Sequence, residues 1–245
     1  VDDIKNGTSE SRNDTTFSPR AGVIYKPQEN ISLYLSYSES FLPRSGEQFK
    51  SLSASSARLD PDVFESTEVG MKVALSDSMS LTAAYFDSEQ VRAERDNDTG
   101  ETSEIRGLTV DGFEVELKGR VNDGLNLAIA YSDLSGETSS GGIPREIPEH
   151  TLSAFAAWEV NEKLSVALGL TQQGESKIKD NNAGLVLPEY TRIDVSAYYQ
   201  VAPNLSLQMN VENLMDELYF PHSHSTHQAS VGESVNSRVS LRWTY

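Results

Sequence analysis

No cysteine occurs among the 245 residues. That excludes a disulfide framework, a thiolate zinc site, an iron–sulfur cluster and a cysteine nucleophile. Basic residues are scarce, 20 Lys and Arg against 37 Asp and Glu. A formal charge of −17 argues against nucleic acid as a partner, because phosphate binding needs clustered Lys and Arg. No apolar run approaches the ~18 residues of a spanning helix, and no basic-plus-apolar leader opens the chain. Enzyme signatures are missing as well. There is no H-E-x-x-H, no G-x-S-x-G, no Walker loop and no dinucleotide fingerprint, so no reaction is assigned. The mean hydropathy of −0.44 would suit a soluble protein. One class of membrane protein, however, hides its hydrophobicity by alternation.

Alternation is what the chain has in abundance. Ile31, Leu33, Leu35 and Tyr37 are separated by Ser32, Tyr34 and Ser36. Successive side chains of a strand point to opposite faces, so this segment has one apolar and one mixed face. The pattern returns at Val69–Leu75, Leu81–Tyr85, Phe113–Leu117, Leu125–Tyr131, Leu152–Trp158, Leu164–Leu170, Ile193–Tyr199, Leu205–Val211 and Val239–Tyr245. With Phe17–Lys26 as the first, this predicts about eleven strands. The connections alternate too. Short ones rich in Pro, Gly, Asn and Asp fall at 27–30, 76–78, 122–124, 161–163 and 202–204, with long polar ones near 44–64, 88–104, 134–148, 174–190 and 219–233. Consecutive antiparallel strands therefore place every tight turn at one end and every long loop at the other. The fold expected is all-β, an antiparallel up-and-down transmembrane β-barrel of the outer-membrane type. A soluble sandwich has the same periodicity, with the apolar stripes meeting each other in a dry core.

Several segments resemble strands of TonB-dependent ferric-siderophore receptors. These are Phe17–Gly22, Tyr25-Lys26-Pro27, Ser32–Phe41, Leu59-Asp60-Pro61 with Glu65–Lys72, Arg106-Gly107-Leu108 with Gly112–Leu117, Pro148–Leu152 and Asn210–Tyr219. The last is similar to the family's "N-x-x-N-L-F-D-x-x-Y" strand, with Met215 at the usual Phe; the final residue is Tyr245 where Phe is usual. The resemblance implies a barrel of about twenty-two strands around an N-terminal plug. Here about half of those strands are present and the plug is absent. The expected division is residues 1–16 as the remnant of an extracellular loop and 17–245 as the C-terminal part of the barrel. Open edges are not viable in lipid, so the strands near Phe17–Lys26 and Ser234–Tyr245 need partners.

By resemblance the whole receptor binds a ferric siderophore at the outer membrane of a Gram-negative bacterium. It sits in outer-membrane lipid and is energised by the TonB complex acting on the plug. No cofactor is implied, since iron arrives inside the siderophore. Alternatives are a receptor for cobalamin, haem or a glycan, a small passive channel, and a secreted adhesive β-protein. Candidate ligand residues lie where loops are expected. Arg44, Arg92 and Arg95 could pair with chelate oxygens, or simply balance Glu89, Glu94 and Asp96. His222, His224 and His227 cluster beside Tyr219 and Phe220. They are read as ligand contacts rather than metal ligands, because no carboxylate is adjacent to orient them. Glu114, Glu116, Arg192 and Asp194 are read as lumen-facing contacts to a plug. The acidic surplus either favours a neutral or cationic chelate of hydroxamate or mixed type or is a general habit of surface loops.

Overall fold

The computed structural model describes residues 2–5, 8–11, 13–43, 60–95, 102–179 and 184–245. A first hairpin pairs β1 (Asp2–Lys5) with β2 (Thr8–Ser11). Eleven strands then form one antiparallel sheet: β3 (Arg20–Gln28), β4 (Ile31–Leu42), β5 (Asp62–Ser76), β6 (Met79–Arg95), β7 (Thr102–Asn122), β8 (Leu125–Thr138), β9 (His150–Asn161), β10 (Leu164–Gln173), β13 (Tyr190–Ala202), β14 (Leu205–Glu212) and β17 (Asn236–Trp243). Every sheet strand pairs with its chain neighbours, and β3 and β17 form the two ends. Two small hairpins sit in the connections, β11 (Ser176–Lys177) with β12 (Val186–Leu187) and β15 (His222–Ser225) with β16 (Gln228–Ser230).

Two of the tight turns owe their shape to asparagine. Asn122 Oδ1 accepts the amides of Gly124 and Leu125, each at 3.0 Å. Asn161 Oδ1 does the same for Lys163 and Leu164 at 2.9 and 3.1 Å. A side chain that supplies the acceptor reverses the chain within two residues.

The register decides between barrel wall and sandwich. Val23, Leu35, Val69, Tyr85 and Phe113 are directly paired from β3 to β7, in one row on one face. They are 68%, 53%, 52%, 49% and 42% exposed. Among the described residues the buried hydrophobic side chains are Leu187, Tyr190 and Tyr219, all at or above one end of the sheet. Among the described residues no second layer covers the stripe, so they form no sandwich and leave the apolar face for lipid. The opposite face carries Lys72, Glu116, Arg192 and Asp194. The row Leu33, Met71, Ala83, Val115, Tyr131, Leu152, Gln172 begins near the tight-turn end of β4 and finishes next to the last residue of β10. That steady climb is the stagger of tilted barrel strands.

Aromatic residues mark where the apolar band stops. On the long-loop side, outward Tyr37, Tyr85 and Tyr131 donate their phenols to Glu39, to Asp111 at 3.1 Å and to Asp133 at 3.2 Å. Each ring stays against the apolar stripe while its hydroxyl meets the first carboxylates above it. Trp158, Tyr199 and Trp243 take the corresponding place near the tight turns.

Three expectations are corrected. The first sheet strand starts at Arg20, because residues 17–19 make no ladder; Pro19 only accepts the amide of Glu39 through its carbonyl, at 3.0 Å. The stretch 88–104 is mostly strand, with β6 running to Arg95 and β7 starting at Thr102. At 21 residues, β7 is about twice the ~9–11 needed to cross a bilayer. Above the lipid neither face has to be apolar, so alternation fades while the ladder continues. The connections at 174–190 and 219–233 likewise contain short hairpins of their own.

Candidate functional site

The long connections gather at one end of the sheet, and the last is built on Asn213. Asn213 follows β14 with φ +49°, and its side chain is among the least exposed in the structure. Its Nδ2 donates to the carbonyls of Glu217 and Glu233 at 2.9 and 3.0 Å, and its Oδ1 accepts the amide of Glu217 at 2.9 Å. Its own amide donates to Asp194 Oδ1 at 2.9 Å. Asp216, at φ +53°, accepts the Val235 amide at 2.9 Å. Asn and Asp tolerate the left-handed region better than other side chains, so both turns fall where the sequence places those residues. The two stems of the last connection are thereby tied to each other and to β13.

Tyr219 lies in the same knot and is 6% exposed. Its ring centroid is 4.8 Å from that of Tyr190. Arg192 Nη1 donates to its hydroxyl at 3.1 Å, while Nε and Nη2 of the same guanidinium donate to Asp194 Oδ2 at 3.1 and 2.8 Å. Arg192 and Asp194, expected to reach toward a plug, here bind each other and fasten the loop.

Glu146 joins three connections. Its φ of +58° is unusual for a glutamate. Its amide donates to the Lys177 carbonyl at 2.9 Å, and its Oε1 accepts the Ser223 amide at 3.0 Å. Nearby, the Glu149 amide donates to the Glu175 carbonyl at 3.2 Å and the Gly174 amide to the His150 carbonyl at 2.8 Å. The β8–β9, β10–β13 and β14–β17 connections are thus one hydrogen-bonded body. Nothing in the sequence around Glu146 announces this; only its partners, some thirty to eighty positions away, give it the role.

The residues singled out from the sequence separate into two groups. Tyr219, Phe220, His222 and His227 share the last connection. His222 Nε2 is 2.8 Å from Ser230 Oγ across the β15–β16 hairpin, and His227 occupies the turn between those strands. The side chain of His224 lies outside the described part. Arg92 is on β6, separated from β14 by five intervening strands. Its Nε donates to the buried Asp62 at 3.1 Å, alongside Gln90 Nε2 at 2.9 Å. Its stem packs on Gly107, where a Cβ would stand 2.9 Å from Arg92 Cδ. Arg44 and the side chain of Arg95 lie outside the described residues. Among the described residues no three His, Asp or Glu side chains are placed to hold a metal ion.

A tilted antiparallel meander, apolar outside, charged inside and capped by interlocked loops at one end, is the wall of a membrane-spanning β-barrel. The chain belongs to the TonB dependent receptor-like, beta-barrel family, whose model matches residues 1–214. That family is one of receptors, not enzymes. The probable TonB-dependent siderophore receptor PiuA of Acinetobacter baumannii is 27% identical over 92% of this chain and 33% of its own length. The metal-pseudopaline receptor CntO of Pseudomonas aeruginosa is 27% identical over 97% of this chain and 35% of its own. The crystal structure of the Pseudomonas aeruginosa ferripyoverdine receptor bound to ferripyoverdine superposes with a TM-score of 0.79 at 25% identity, covering 96% of this chain and 34% of that one. The chain therefore spans about a third of the length of these relatives.

Proposed function

We infer that this chain forms the C-terminal part of the barrel of an outer-membrane receptor for ferric siderophores. The receptor is energised through TonB acting on a plug encoded elsewhere in the full-length protein. The observation that carries the reading is the family match over a sheet whose lipid face, wet face and loop end are all in place. The relatives named for siderophores support the cargo class. The barrel's part is mechanical and selective. It frames the pathway in lipid, presents the loop body to the outside, and completes its open edges at β3 and β17 with strands of the remaining receptor.

Deleting the full-length gene from iron-starved cells is expected to abolish uptake of at least one radio-iron chelate, and inactivating TonB is expected to do the same. Uptake that survives both would overturn the reading. A second reading, a chelate of another metal, is favoured by the likeness to the metal-pseudopaline receptor. It is separated by repeating the assay with radio-zinc or radio-nickel.

A further inference from the structure

We propose that a hollow at the loop end is a subsite for an uncharged hydrocarbon arm of the chelate, a proposal that rests on the receptor reading above. The hollow lies between the β8–β9 and β10–β13 connections and encloses about 200 Å³. Its lining joins hydrocarbon from Leu134, Ile143, Pro144 and Ile147 to the polar Ser176 and Lys177.

Its position is set by two glycines on the wet stripe. A Cβ at Gly136 would stand 2.7 Å from Pro144 Cγ, so the β8–β9 connection folds inward and rests on that glycine. A Cβ at Gly112 would stand 2.8 Å from Leu134 Cδ2, so Leu134 lies along the same wall. The hollow therefore opens on the lumen side of the mouth, away from lipid.

Charge selects the ligand. Lys177 Nζ is 2.7 Å from Glu175 Oε1, and the Lys177 side chain is only 14% exposed. The cation is already neutralised inside the lining. Glu149, also in the lining, leaves a negative surplus that repels an anionic arm. At the rim Ile143 is 53% exposed, a large apolar side chain held in water at the mouth. A whole drug-sized ligand needs roughly 300–1,000 Å³, so this volume suits one acyl or aryl arm and leaves the metal centre to other groups. The walls are fixed in advance by the Glu146–Lys177, Glu146–Ser223 and Glu149–Glu175 hydrogen bonds, which reduces the ordering cost of binding.

The test uses the full-length receptor in detergent and matched pairs of ferric chelates, one pair trihydroxamate and one tricatecholate. The two members of a pair differ only in carrying an acetyl or a hexanoyl arm. Affinity is read by quenching of intrinsic tryptophan fluorescence, and the pair that the wild-type receptor binds is carried forward. The wild type is expected to favour the hexanoyl member by at least tenfold, which burial of about two of the four added methylenes supplies. Ile147→Asp is expected to erase that margin. Ile143→Asp, at the exposed rim, repeats the test without disturbing the packing on Gly136. Equal wild-type affinity for the two members, or variants that weaken both alike, would overturn the subsite and leave the receptor reading intact. A wild-type receptor that binds no member of either pair overturns the subsite, while the receptor reading is decided separately by the uptake assay.

Discussion

The ring of Tyr219 lies on Gly232 so closely that a Cβ on the glycine would stand 2.2 Å from the ring's Cζ. The Gly232 amide also donates to the Tyr219 carbonyl at 2.8 Å, so neither backbone can back away. Any side chain at position 232 must expel the ring from Tyr190 and Arg192. Overpacking of this kind costs about 1–3 kcal/mol. In the full-length receptor Gly232→Ala is expected to leave the barrel folded but speed proteolytic nicking between 219 and 233. A nicking rate equal to wild type would show that the tyrosine is not what holds the loop.

Asn213 allows a finer test, because its backbone and side chain can be separated. Asn213→Gly keeps the left-handed conformation but removes the acceptor and donors that serve Glu217 and Glu233. Leaving such buried groups unpaired costs about 1–3 kcal/mol. Asn213→Ala loses the same bonds and adds roughly 1–2 kcal/mol for a Cβ in the left-handed region. The expected order of stability in guanidinium unfolding is wild type, then glycine, then alanine. Alanine equal to glycine would remove the backbone part of the argument.

Leu168 tests which face meets lipid. It is the fifth residue of β10, paired with Ala156 and Val195 in the middle of the outward stripe. Leu168→Arg is expected to cost about 2–4 kcal/mol when refolding into bilayers is measured at equilibrium. Leu168→Phe, still apolar, is expected to change little. An arginine tolerated as well as phenylalanine would place this stripe in water.

The latch at Glu146 predicts a local rather than a global effect. Glu146→Ala removes the acceptor of the Ser223 amide, 3.0 Å away on another connection. Hydrogen exchange at Ser223 is expected to accelerate at least tenfold, matching loss of a bond worth about 1.4 kcal/mol or more, while the β9–β10 ladder stays protected. Glu146→Gln, which keeps a carbonyl oxygen in place, is expected to restore slow exchange. Slow exchange in the alanine variant would mean that the three connections are not coupled through this residue.

The amino-acid sequence by itself determined the wall. Alternation such as Leu33, Leu35 and Tyr37 against Ser32, Tyr34 and Ser36 is a local property, because a strand's two faces are set by neighbouring residues. Turn residues such as Asn122 and Asn161 act within three positions, so strand number, order and the sorting of loops were legible. The ends of β6 and β7 were not, because hydrogen bonding above the lipid leaves no hydrophobic pattern. The mouth was least legible of all. Arg92 reads as a chelate contact or a balance to neighbouring acids until Asp62, thirty positions upstream, is seen to hold it. Glu146 is one acid among 37 Asp and Glu until Lys177 and Ser223 are brought to it. Contacts between loops depend on where the folded wall sets their stems, and that is a long-range consequence of the barrel's stagger which only the tertiary structure decided.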